Sequence, residues 1–494
     1  MQLKRVTPES VGISSSVILD LLESIRKKGV EMHSFMLLRH GKVCAEGWWH
    51  PYSPNIPHIM FSFSKSLTST AIGFAVQEGY LSVEDKLVDI FPEHLPEVIS
   101  ENLAKCTVAH LLMMGCGHEV EIPILEFRDS WISNFLAHPF VYEPGTHFLY
   151  NTAGTNMLCA ILKEKTGQNL TEFLKPRLFD PLEMGEVPCF AYRGIEAGGF
   201  GTKLCTEAMA RFTQFVANKG VWEGKQLLSA AWFDAATAKH IDNRAETPDK
   251  NSDWQQGYCY QFWRCKPEGV FRGDGAFGQF GIVMPDQDAV LVITSVGTGS
   301  GMQDTADAVW NSLIPAMQDA PLSENADTHA VLAHYLQNLS LSENIAFNSV
   351  EWQERLAARR FSPKNETTAF TNLIGGAGQF LPDSGTLTSL QFSFGEESFL
   401  EIAETERTYR LPLGMQGHFA VADMDGTPYA ANTRWRAPNK LEAEIRNVTF
   451  GSGARFLFTF HEDAMTLSVD STLPDHNALA DEAISDIVFA VEPR

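Results

Sequence analysis

Several features that would point at once to a function class are missing. The first residues, MQLKRVTPESVG, lack the apolar stretch of a secretion signal, and no apolar run long enough to span a bilayer, about 18 residues, occurs in the chain. There is no basic stripe either. The formal charge of −23 is spread over both halves rather than gathered in a tail, which makes phosphate backbones and anionic lipid poor partners. The 8 cysteines lie between Cys44 and Cys265 with no CxxC pair and no Cys/His group at zinc-ligand spacing, and HExxH is absent. Free thiols in a reducing compartment are expected, and with no signal stretch a cytoplasmic protein; no metal, nucleic acid or membrane is expected among its partners. GxSxG, the nucleophile turn of another hydrolase fold, does not occur. One GxGxxG match does, Gly273-Asp274-Gly275-Ala276-Phe277-Gly278. Dinucleotide binding needs a helix directly after it, whereas FGIVMPDQD is strand-like and stopped by Pro285.

What is present is long and patterned. A chain of 494 residues exceeds what one core usually organises, so two domains or more are expected. Up to about residue 318, short apolar runs alternate with helical patterns. MLLRHGKVCAEGWW (36–49) reads as two strands around a His40-Gly41 turn and AVLVITS (289–295) as a buried strand, while 62–78, 107–114, 156–167 and 206–220 read as helices. Strands at both ends with helices between predict an α+β domain, an antiparallel sheet flanked by helices. The polar segment QDAPLSENADTH suits a linker, giving a first domain over 1–318, a linker over 319–329 and a second domain over 330–494. After a short helix near 328–339, the second domain alternates with period 2: Leu390, Phe392, Phe394; Leu441, Ala443, Ile445; Phe456, Phe458, Phe460; Met465, Leu467, Val469. The last two sets flank the hairpin-sized His461-Glu462-Asp463-Ala464. A β-rich, barrel- or sandwich-like domain is predicted.

The chemistry concentrates in FSFSKSLTSTAIGFAVQEG (61–79). Leu67, Ala71, Ile72, Phe74, Ala75 and Val76 leave almost no polar face, so this helix should run through the interior. An ammonium near its N-terminus loses hydration and meets the wrong end of the helix dipole, and the pKa of Lys65 should fall. A lowered lysine is a usable base. Residues three apart share a helix face, so Ser62 can meet Lys65 whereas Ser64 cannot. Ser69 can also meet it, but a turn deeper, away from the N–H groups that would hold an oxyanion. On its own, SxxK also reads as a helix cap beside a lysine that snorkels to solvent.

The neighbouring words extend the pattern. Ser62-Phe63-Ser64-Lys65, GYLSVEDKLVDIFPE (79–93), TVAHLLMMGCG (107–117), EPGTHFLYNTAGTNML (143–158), GGFGTKLCTEAMARF (198–212) and GKQLLS (224–229) occur in order over roughly residues 5–317. This series resembles the serine β-lactamase and penicillin-binding-protein superfamily, in particular its class C-like branch of esterases, D-aminopeptidases and related hydrolases. The resemblance implies that an all-helical subdomain accompanies the sheet, and that Ser62, Lys65 and Tyr150 are catalytic. Where the family has Y-x-N, this chain has Tyr150-Asn151-Thr152, so either Thr152 takes the asparagine's part or Asn151 reaches round. At the place of the family's K-T-G or H-x-G, Gly273-Asp274-Gly275 stands without a basic residue; the N–H of Ala276, beside Gly275, would then pair with that of Ser62 as the oxyanion hole. Arg272 either replaces the lost cation as partner of a substrate carboxylate or faces water.

The resemblance implies acyl transfer through a Ser62 acyl-enzyme on small esters or amides, without a cofactor, with a phenol lowered by the Lys65 cation sharing the base role. D-amino-acid peptides and β-lactams are the alternatives within the family. A catalytically silent binding module is the alternative of another class, and loss of Ser62, Lys65 or Tyr150 would have favoured it. For the β-rich domain the expectations are a cap over the site, a homodimer contact, or an accessory domain away from substrate.

Overall fold

The computed structural model describes residues 3–123, 130–245, 249–341, 349–357, 359–365, 367–374, 385–415, 417–424, 426–471 and 486–492. The chain divides into two compact units, Met1–Gly47 with Ile59–Gln337 and Trp48–His58 with Asn338–Arg494.

In the first unit six strands form one sheet: β1 (Glu31–Arg39), β2 (Lys42–Trp48), β3 (Trp263–Arg264), β4 (Phe271–Gly275), β5 (Gln279–Met284) and β6 (Ala289–Val296), in the order β2-β1-β6-β5-β4-β3. From β1 through to β3 the neighbours are antiparallel. β5 and β6 are buried along their whole length, which requires cover on both faces and explains why AVLVITS shows no polar alternation. Part of that cover is a helix over Thr206–Ala217, packed on β1, β5 and β6 through residues such as Met209 and Phe212.

Between β2 and β3 most of the regular elements are helices, as expected, with a few two-residue strands among them. Helix α1 (Ser15–Lys27) precedes β1, while α2 (Ser64–Gln77), α3 (Val108–Leu112) and α4 (Thr152–Thr166) lie in this segment. Every residue of α2 from Ser64 to Ala75 is buried, and α2 packs along α4, which also contacts α3. Buried on all sides, α2 gains stability from the surrounding core rather than from one amphipathic stripe.

The unit boundary falls later than the 319–329 linker, because Ala326–Gln337 is a helix that belongs with the first unit. It packs on α1, burying Leu332 and setting Tyr335 beside Glu23 and Arg26. Residues 48–58 count with the second unit. There His50 accepts from Leu341 N–H at 3.0 Å and Tyr52 packs with Phe419, Ala430 and Val448.

The second unit is built on a ten-stranded antiparallel sheet between Arg360 and Val491. Its two outermost strands, Thr408–Pro412 and Ala420–Met424, are joined by a short link and contact one another, so the sheet rolls into a nearly closed barrel. Leu441, Ala443, Ile445, Phe456, Phe458, Phe460, Met465 and Leu467 all face the core, and Phe460 opposes Met465 across the hairpin. Barrel-like is the outcome of the two forms predicted. Among the described residues no helix is long and apolar enough to cross a membrane.

Candidate active site

Ser62 lies in a short 3₁₀ turn, Phe61–Phe63, that runs directly into α2. Lys65, one turn on and 1 % exposed, donates from Nζ to Ser62 Oγ at 3.0 Å, to Gly199 O at 2.7 Å and to Thr152 Oγ1 at 3.4 Å. Burial lowers its pKa to about 7, with Glu121 and Asp274 pulling the other way. Near neutrality the amine can therefore lose a proton. It would then keep two N–H groups for Gly199 and Thr152 and offer its lone pair to the Ser62 hydroxyl. The other hydroxyls of the motif are committed elsewhere, Ser64 to Thr202 at 2.6 Å and Ser66 to Gln261 O at 2.9 Å, while Ser69 is fully buried.

Tyr150, just before α4, stacks on Trp263 with ring centroids 5.3 Å apart, and its hydroxyl is near enough to Ser62 for that side chain to favour the ionised phenol. Lys65 Nζ sits over the face of the Tyr150 ring, 4.9 Å from its centroid. The expectation that Lys65 lowers this phenol is not met. Burial first, then Asp274 and Glu121, raise its pKa well above the ordinary value, so Tyr150 holds its proton. Of the two polar candidates after it, Thr152 reaches Lys65. Asn151 turns away: it caps α4 by accepting from Gly154 N–H at 3.3 Å, and its amide meets Nδ1 of His118 at 3.2 Å. Burial holds His118 neutral, its pKa lowered to about 3, so that ring nitrogen can accept.

Strand β4 passes hard against the Ser62 turn. A β carbon on Gly275 would lie 2.1 Å from Met60 O, and one on Gly273 would lie 2.6 Å from Ser66 Oγ. No hydrogen bond among the described residues takes up the N–H of Ser62 or of Ala276. Each of these groups borders a phenylalanine in left-handed backbone, Phe61 at φ 45° and Phe277 at φ 69°, and the two rings meet edge-on at 5.4 Å.

A family model described as beta-lactamase matches residues 21–314, more than half of the chain. The chain belongs to the beta-lactamase family. Among its relatives, the 6-aminohexanoate-dimer hydrolase of Paenarthrobacter ureafaciens is 24% identical over 281 residues, 52% of this chain and 71% of that protein. A putative beta-lactamase from Bacteroides dorei superposes with a TM-score of 0.52 at 14% identity, covering 60% of this chain and 98% of that one. A putative 6-aminohexanoate-dimer hydrolase from Bacillus anthracis matches with a TM-score of 0.46 at 20% identity, covering 69% and 89%. This member of the beta-lactamase family is an enzyme, a serine hydrolase.

Two readings of this beta-lactamase-family chain need correction. Arg272 does not face water, since its side chain is fully buried. Its Nε donates to Asp274 at 2.9 Å, its Nη1 to Asp253 O at 3.2 Å, and the guanidinium lies over the Trp254 ring, 4.6 Å from the centroid. Asp274 is likewise an internal partner, 6 % exposed, its carboxyl pKa raised by burial and opposed by Arg272. Two participants left no signal that side-chain patterns reveal: the Gly199 carbonyl, which belongs to the backbone, and Glu121, whose Oε1 accepts from the Thr152 N–H at 2.9 Å. Among the described residues no group of three or more His, Cys, Asp or Glu is placed to hold a metal ion, and all eight cysteines are free thiols.

Proposed function

We propose that the enzyme hydrolyses small carboxylic esters or amides through a Ser62 acyl-enzyme, with Lys65 as the base and Tyr150 as a neutral proton relay. Lys65 in its free-base form takes the Ser62 proton as Oγ attacks the substrate carbonyl, and the N–H groups of Ser62 and Ala276 receive the developing oxyanion. Tyr150 gives its phenolic proton to the departing alcohol or amine and is reprotonated from Lys65. Water then attacks the acyl-enzyme, giving one proton to Lys65, which hands it to Ser62 Oγ as the acyl–oxygen bond breaks and the acid leaves. The observation that carries this reading is one contact: the Lys65 amine, 3.0 Å from Ser62 Oγ, with its pKa depressed to about 7.

Amide hydrolysis is favoured alongside ester hydrolysis by the similarity to a 6-aminohexanoate-dimer hydrolase. The absence of a free cation at Gly273-Asp274-Gly275, with Arg272 buried, weighs against substrates anchored by a carboxylate, penicillins among them. Free thiols favour a cytoplasmic setting. A fluorophosphonate probe tests the nucleophile: it should label the wild type and spare Ser62→Ala, and equal labelling of both would remove Ser62 from its role. Tyr150→Phe should slow an alkyl amide by about 10² to 10⁴ and a p-nitrophenyl ester, whose leaving group needs little protonation, far less. Equal losses on the two would refute the relay.

A further inference from the structure

The charges around Lys65 do not balance when the site is ready to react. Asp274 and Arg272 neutralise each other in a buried pair, so a free-base Lys65 leaves Glu121 as the uncompensated charge of this group. Glu121 differs from Asp274 in two respects. It is exposed, and among the described residues no salt bridge engages it. Its position is nonetheless held, because Oε1 accepts the first N–H of α4 at 2.9 Å and Thr152, the residue that donates it, also contacts Lys65. An exposed carboxylate anchored by one oxygen to Thr152, the residue that also contacts the catalytic amine, offers a counter-charge to whatever enters.

We propose that Glu121 is a specificity-determining residue that selects substrates carrying an ammonium group near the scissile carbonyl and disfavours those carrying a carboxylate. The inference rests on the hydrolase reading above and names the charge class of its substrate. A cationic group is attracted to Glu121 in the reactive, free-base state, whereas an anionic one meets Glu121 with no free lysine or arginine to offset it among the groups that act on Lys65.

Two isosteric ester pairs with permanent charge test it. The first is p-nitrophenyl 4-(trimethylammonio)butanoate against p-nitrophenyl 5,5-dimethylhexanoate, with the charge in the acyl part. The second is 2-(trimethylammonio)ethyl butanoate against 3,3-dimethylbutyl butanoate, with the charge in the alcohol. In at least one pair the wild type should favour the cation in kcat/KM by roughly fivefold, as expected for one partly exposed charge pair. Glu121→Gln, which keeps an oxygen for the Thr152 N–H, should bring that ratio toward unity, and Glu121→Lys should invert it. Wild-type ratios near unity in both pairs, or a ratio unchanged in Glu121→Gln, overturn the inference while Ser62-dependent turnover of the neutral esters leaves the hydrolase reading standing. Absence of Ser62-dependent turnover of all four esters overturns both.

Discussion

At the scale of single residues, the site depends on placing an amine where water cannot hydrate it. Burial moves Lys65 from 10.5 to about 7, and the direction was legible in the sequence because a lysine at the start of a helix that runs through the interior loses its hydration without a nearby anion. The proton comes off Lys65 as pH rises, so kcat/KM should climb through an acid limb with a midpoint near 7. A pH–rate profile with no limb between about 6 and 8 would contradict the assignment of the base. The same shift has a stability consequence. With the folded pKa below the unfolded one, the penalty is complete below pH 7 and fades only as pH approaches 10.5. Lys65→Met should therefore be inactive yet more stable than wild type by about 2 kcal/mol at pH 6, with the difference shrinking by pH 10, as read by urea unfolding at both values. Tyr150 was misjudged for a related reason. Proximity to Lys65 suggested a lowered phenol, but that inference presumes a charged lysine near the hydroxyl, whereas the amine lies over the ring and two carboxylates act on the phenol as well.

Individual elements were read from period and punctuation, and their ends were set by contacts. The helix expected from residue 62 opens instead with a 3₁₀ turn, and α4 begins at Thr152 rather than near 156 because Asn151 caps it. Strand β4 shows why small residues stand where the family has K-T-G: Gly275 faces Met60 O with no space for a side chain. Gly275→Ala should force the turn and the strand apart, costing about 1–3 kcal/mol in chemical denaturation and lowering kcat as the N–H groups of Ser62 and Ala276 lose their mutual position. A Gly275→Ala variant with wild-type stability would mean that the two backbones do not meet as described.

At the scale of the whole chain, the two units draw on different signals. Period-2 alternation identified the aromatic core of the barrel, because each strand there has one face to bury. Phe458→Ala, deleting a fully buried ring that meets Phe392 at 5.1 Å, should destabilise the second unit by about 3–5 kcal/mol in urea unfolding while Ser62 remains reactive toward a fluorophosphonate probe. Loss of labelling in the folded variant would tie the nucleophile to the barrel core. The inclusion of residues 48–58 in the second unit had no local signature, since pairing of His50 with Leu339 and Leu341 is a choice made between distant segments. By itself the sequence determined the family's order of motifs, the strand and helix periods, and the burial of Lys65, all of which follow from neighbours within a few turns of chain. Only the tertiary structure decided that Thr152 rather than Asn151 meets the amine, that Arg272 is held inside by Asp274, and that a backbone carbonyl and Glu121 complete the surroundings. Those outcomes depend on distances between groups remote along the chain, and electrostatic and hydrogen-bond energies are set by such distances and by burial rather than by residue type.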